Sequence, residues 1–244
     1  MKAPLGSLAR LAAIPLLRVC FVALVFFVMG GSLPLHADIT NGSFEDVAVP
    51  VGGFTAYPAG STALTGWTIV GGTSDDGPAV VSTTFVQEGI TFVAEDGSQW
   101  LDLTGVNENS TEGVEQTVAT TMGTSYTLSF WVGNVDDTNT NGLFGKTSTV
   151  DVYIDGTLLG SFENSSTTPN TMIWEQFTPT FTATGSSATI EFINEDPSND
   201  NVNGLDNVAL TPNASATPEP TTMILYGTGL LGIMGLALSR KRLA

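Results

Sequence analysis

Between Gly66 and Leu210 short apolar runs alternate with clusters of Gly, Asn, Asp, Pro, Ser and Thr, and no stretch of useful length carries the spacing of an amphipathic helix. The runs are Gly66 to Val70, Ala79 to Val86, Trp100 to Leu103, Gly113 to Val118, Tyr126 to Val132, Thr149 to Ile154, Leu158 to Phe162, Ile173 to Phe181, Ala188 to Ile193 and Leu205 to Leu210. Period-two alternation is clearest where Tyr126, Leu128 and Phe130 oppose Thr127 and Ser129, and where Ala188, Ile190 and Phe192 oppose Thr189 and Glu191. Asp155-Gly156 between two such runs predicts a type I′ hairpin. About ten short strands predict an all-β fold, two packed antiparallel sheets in a jelly roll or related sandwich.

Both ends differ from this body. Lys2, Arg10 and Arg18 precede an apolar core from Val19 to Met29, then Gly30-Gly31, Pro34 and the small residue Ala37, which is the order of a signal peptide cut by signal peptidase after residue 37. Cys20, the chain's one cysteine, sits at the start of that core and leaves with it. At the other end Pro218-Glu219-Pro220 is followed by an uncharged run, Thr222 to Leu238, and by Arg240-Lys241-Arg242. A helix rising ~1.5 Å per residue makes that run just long enough to cross a hydrocarbon core, and the basic cluster belongs on the cytoplasmic side. The expected organisation is a signal peptide over 1–37, a sandwich over 38–211, a linker over 212–221, a transmembrane helix over 222–239 and a basic stub over 240–244.

The order Pro-Glu-Pro, apolar segment, basic end resembles the PEP-CTERM sorting signal of Gram-negative bacteria. That resemblance implies a membrane protease, exosortase, as a processing partner. It also implies transient anchoring in the inner membrane before delivery to the cell surface or extracellular matrix.

Of the seven basic residues, six lie in the two end segments and only Lys146 remains, while of 24 acidic residues only Glu219 lies outside the body. Such a surface repels phosphate backbones, so nucleic acid is not an expected partner. The one histidine, His36, falls in the signal segment, and the body has neither Cys nor Arg. Ser-His-Asp and Cys-His nucleophiles and His/Cys zinc sites are thereby excluded from the body, leaving catalysis by carboxylates alone as the open enzymatic route.

Asn41-Gly42-Ser43-Phe44-Glu45, then Gly66-Trp67, and the closing Gly204-Leu205-Asp206-Asn207-Val208 resemble the galactose-binding-like jelly rolls, a superfamily that includes many bacterial carbohydrate-binding modules. The resemblance implies a non-catalytic domain that binds extracellular polysaccharide. It also implies a structural calcium ion near the joined termini, with Glu45 and Asp206 at the matching positions. Asp137, Asn139 and Asn141, followed by Gly142, fit half of an EF-hand loop, although Ser148 stands where the bidentate Glu would be. The alternative for each is an ordinary solvated carboxylate or turn.

Sugars stack on exposed aromatic rings while their hydroxyls meet Asp, Asn and Gln. Trp131 is out of phase with Leu128 and Phe130 and is therefore the leading platform candidate, with Trp174, Tyr57 and Phe144 near loops behind it. Trp67 reads as core. The expected function is an exported surface or matrix protein with a polysaccharide-binding, non-enzymatic jelly roll. Its alternatives are a purely structural matrix protein and a glycoside hydrolase built on Asp136-Asp137 or Glu195-Asp196.

Overall fold

The computed structural model describes residues 38–72, 77–105, 111–138, 142–166, 168–196 and 202–213. The signal segment, the Pro218-Glu219-Pro220 tail with its apolar run and Arg240, Lys241 and Arg242, and the loop residues Asn139 and Asn141 lie outside the described residues. No helix among the described residues is long and apolar enough to cross a membrane.

Fourteen strands follow in order: β1 (Phe54–Ala56), β2 (Thr68–Gly71), β3 (Ala79–Ser82), β4 (Phe85–Gln87), β5 (Ile90–Phe92), β6 (Gln99–Asp102), β7 (Glu112–Ala119), β8 (Ser125–Val135), β9 (Ser148–Ile154), β10 (Thr157–Asn164), β11 (Met172–Phe177), β12 (Thr180–Thr182), β13 (Ser187–Asn194) and β14 (Gly204–Pro212). One sheet has seven strands in the order β1-β3-β6-β14-β8-β11, with β12 also on β8; a second has five, β10-β9-β13-β7-β2; and β4 and β5 form a separate hairpin. Every named strand pair is antiparallel, as in a jelly-roll sandwich.

The alternation read from the sequence sets the main core. Leu128, Phe130 and Val132 of β8 face Ile190 and Phe192 of β13 and Val150 and Val152 of β9 across the sandwich. Phe130 meets Phe192 edge-on with centroids 5.2 Å apart. Burying each such side chain contributes roughly 1.5–3 kcal/mol. Trp67 joins this core, its indole N–H donating to the Asn41 carbonyl at 3.0 Å.

Asp155 and Gly156 both have positive φ, 51° and 73°, which is the backbone a type I′ hairpin requires. Two expected strands are interrupted. Ala79 to Val86 splits into β3 and β4, because the Ser82 hydroxyl accepts the N–H of Thr84 and turns the chain. Ile173 to Phe181 splits into β11 and β12 around Pro179, which has no N–H for the ladder and whose carbonyl accepts from Leu128 instead.

A second apolar cluster covers the outer face of the seven-stranded sheet. Ala79, Val81 and Trp100 point to that face, where Ile90 and Phe92 of the β4–β5 hairpin, Phe144 and Met172 pack on them. The hairpin turns through Glu88 and Gly89, both at positive φ.

Candidate functional site

Under the β4–β5 hairpin this cover is incomplete. A cavity of about 350 Å³ opens between the outer face of β1, β3 and β6, the hairpin and the turn at 143–144. Phe54, Phe85 and Phe144 give it aromatic walls, and Asp102 and Gln87 supply the polar groups. The Phe54 and Phe85 rings meet edge-on at 5.7 Å, and Phe54 stays 42 % exposed at the mouth.

Asp102 is placed by pairing: it sits opposite Ala79 on one side and Gly204 on the other, at the end of β6. Its Oδ1 accepts from the backbone N–H and hydroxyl of Thr104, at 3.1 and 2.8 Å, and from the Asn203 N–H at 3.2 Å. Burial against the apolar walls raises its pKa to about 7, outweighing those hydrogen bonds, which pull it down. The result is a fixed carboxyl that exchanges its proton near neutral pH inside an aromatic pocket.

Trp131 faces the same outer side of the sheet and is half-buried, opposite Asp206 and Gln176. Trp174 is committed to packing. It lies edge-on to Trp100 at 5.9 Å, donates its N–H to the Val93 carbonyl at 2.9 Å, and crosses Gly133 and Gly204, where a Cβ would come within 2.8 Å of its ring. Tyr57 is buried in the main core, so its ring is not presented to solvent, and its hydroxyl has no hydrogen-bond partner.

Glu45 and Asp206 grip one loop from two sides. Glu45 Oε1 accepts the N–H groups of Ser98 and Gln99, both at 2.7 Å, and Oε2 accepts the Ser98 hydroxyl. Asp206, fully buried, accepts from Glu95 and Asp96 at 2.9 and 3.0 Å through Oδ2 and from Asn207 at 2.7 Å through Oδ1. Its pKa rises to about 7, chiefly through burial and with a smaller push from the Glu95 charge, against the pull of the three N–H groups. Asp137 is buried and accepts the Phe144 N–H at 3.2 Å, so it shapes the turn that carries a wall of the cavity. Among the described residues no group of three acidic side chains is placed to hold a metal ion. Asp196 accepts the Thr149 N–H, and Asp136 sits at the bridge to Pro169.

Asp102, Phe54, Phe85 and Gln87 were not singled out from the sequence. The available signal was the unbroken apolar run in β3 and in Trp100-Leu101, which marks a sheet covered on both faces.

Fold and site together define a jelly-roll sandwich with a ring-lined cavity on one outer sheet face. A family model described as HpiC1 cyclase matches residues 36–211, and the chain belongs to this HpiC1-like family. A second model, the PEP-CTERM protein-sorting motif, matches residues 216–242, so the chain carries that sorting signal. Among solved structures, the Stig cyclase Fisc from Fischerella sp. TAU, crystallised with a 3H-indole compound, is 20 % identical, and the match covers 75 % of this chain and 100 % of that one with a TM-score of 0.53. A CBM4 structure is 18 % identical over 72 % of this chain and 99 % of that one, TM-score 0.37. The CBM22-1 xylan-binding domain from Paenibacillus barcinonensis is 15 % identical over 69 % and 100 %, TM-score 0.39. No curated protein matches the chain in sequence.

Proposed function

We propose that this protein is exported, processed by exosortase at its PEP-CTERM tail, and binds extracellular carbohydrate through the aromatic pocket on the outer face of the seven-stranded sheet. The observation that carries the reading is the pairing of ring walls, Phe54, Phe85 and Phe144, with two side chains able to meet hydroxyls, Asp102 and Gln87. A sugar ring offers C–H faces to the former and hydroxyls to the latter. Trp131, on the same sheet face, extends the platform for a longer chain. The test is retention of the purified domain, residues 38–217, on a panel of bacterial and plant polysaccharides. Retention on one class that Asp102→Asn weakens supports the reading; no retention on any class overturns it.

A second reading is enzymatic, favoured by the cyclase that describes the family and by Asp102. A carboxyl with a pKa near 7 in an apolar pocket can protonate a bound ligand and take the proton back. Here Asp102→Asn abolishes turnover while ligand still binds, whereas under the first reading no product forms with either form.

A structural calcium at Glu45 and Asp206 is a separate proposal. The chemistry suits it, since calcium takes oxygen ligands only. Each carboxylate, however, already gives three acceptor positions to protein donors, so an ion would draw mainly on backbone carbonyls. A rise in melting temperature on adding calcium supports it, and an unchanged melt counts against it.

A further inference from the structure

The two ends of the sandwich differ in charge, and the tail leaves from one of them. β14 begins at Gly204, beside Asp102 and the pocket, and ends at Pro212, paired with Tyr126. At ~3.4 Å per residue these ends are about 27 Å apart. Around Pro212 are gathered the turn at 120–124, the strand ends at 180–182 and 187, the bend at 183–186 and the Asp155-Gly156 hairpin. The pairs Ser125–Thr182 and Ser187–Ala119 bring these segments together, as do the hydrogen bonds Gly123 N–H to Ala183 and Asn213 N–H to Ser125. Asp155 is the one acidic residue in these segments, and the rest of their polar surface is Thr and Ser. Met122 is 67 % exposed there and Leu158 49 %, and Asp155, Leu158, Phe181, Thr182 and Thr184 are among the residues lining a second cavity of about 280 Å³. Most of the domain's acidic residues lie elsewhere, between Glu88 and Glu115, at Asp136-Asp137 and between Glu163 and Asp206.

From Asn213, hydrogen-bonded into β8, eight residues lead to the apolar run at Thr222, none charged except Glu219. Fully extended they span at most about 28 Å. Within a Debye length of anionic lipid, about 8–10 Å, an acidic face would be repelled, whereas a Thr/Ser face with exposed Met and Leu meets headgroups with less of that penalty.

We propose that the weakly charged end formed by Met122, Leu158, Thr182 and Thr184, with Asp155 its one acidic residue, is a membrane-facing surface that rests on lipid headgroups while the tail is anchored, so that the ligand pocket points outward and stays open before processing. This rests on the exosortase processing in the proposed function and on the membrane anchoring before it that the PEP-CTERM resemblance implies. The chain's single cysteine, Cys20, lies in the signal segment, so one introduced cysteine labels cleanly. Tail-bearing protein carrying a fluorophore at Met122→Cys or at Leu143→Cys, which lies at the pocket, is reconstituted in vesicles containing nitroxide-headgroup lipid. Quenching at Met122→Cys and none at Leu143→Cys supports the proposal; equal quenching at both, or quenching at Leu143→Cys alone, overturns it. With Met122→Asp and Leu158→Asp introduced together and the label moved to Thr184→Cys, quenching on anionic vesicles falls if this surface meets lipid, and unchanged quenching contradicts it. Protein that fails to float with the vesicles refutes the anchored tail itself, a result distinct from misplaced quenching.

Discussion

The two sheets of this sandwich share one core but present opposite outer faces. On the five-stranded sheet the outward residues are mostly polar or acidic, with Tyr153 among them: Thr117 and Thr189 share a hydrogen bond at 2.8 Å, and Glu115 lies directly opposite Glu191. Burial first, and then the charge of Glu115, raises the Glu191 pKa. On the seven-stranded sheet the outward residues are apolar and carry a second core, with a cavity left at its margin. The seven-stranded sheet buries aromatic rings outside the main core and still leaves a ring-lined gap, the feature on which the proposed binding rests, while the other face offers no such cover.

If the outer cluster is a true core, Trp100→Ala should cost about 3–5 kcal/mol in a denaturant melt, like a large core truncation. A cost below about 1 kcal/mol, the range of surface changes, would reduce the cluster to decoration. Asp206→Ala strands the N–H groups of Glu95, Asp96 and Asn207 and should cost about 1–3 kcal/mol, lowering the melting temperature without altering the five-stranded sheet.

The pH dependence follows from the sign of the shifts. Asp102 and Asp206 have folded-state pKa values of about 7, above the ordinary carboxylate value of 3.8. The folded state therefore holds protons that the unfolded state releases. Their contribution is complete below about pH 4 and is lost as pH rises through about 7. The native protein should melt higher at pH 5 than at pH 8, and Asp102→Asn should flatten that difference; a slope unchanged by Asp102→Asn would remove Asp102 as its source. On the other face Glu191→Gln should stabilise slightly, by about 0.2–1 kcal/mol at neutral pH, by removing a like-charge pair across two strands.

The main core was legible because alternation in β8 and β13 states which side chains face inward, and Asp155-Gly156 states where a hairpin turns. Short strands were not: β1 is Phe54-Thr55-Ala56 and β5 is Ile90-Thr91-Phe92, too short to show a period and flanked by glycines. Trp131 was correctly assigned to the face opposite Phe130, but its neighbours on that face could not be. The pocket joins β1, β3, β6, a hairpin and a turn, and only strand order brings them together. Asp102 reads in sequence as one more Asp before a Thr-Gly turn, and its near-neutral pKa comes from walls contributed by distant residues.

Binding of one retained polysaccharide by the native domain, Phe54→Ala and Tyr153→Ala tests the central claim most directly, because Phe54 lines the pocket and Tyr153 lies on the five-stranded sheet's outer face. Packing on one ring is worth roughly 0.5–1.5 kcal/mol, so Phe54→Ala should weaken binding about threefold to tenfold while Tyr153→Ala leaves it unchanged. Loss with Tyr153→Ala and full binding with Phe54→Ala would place the ligand on the wrong face and contradict the account.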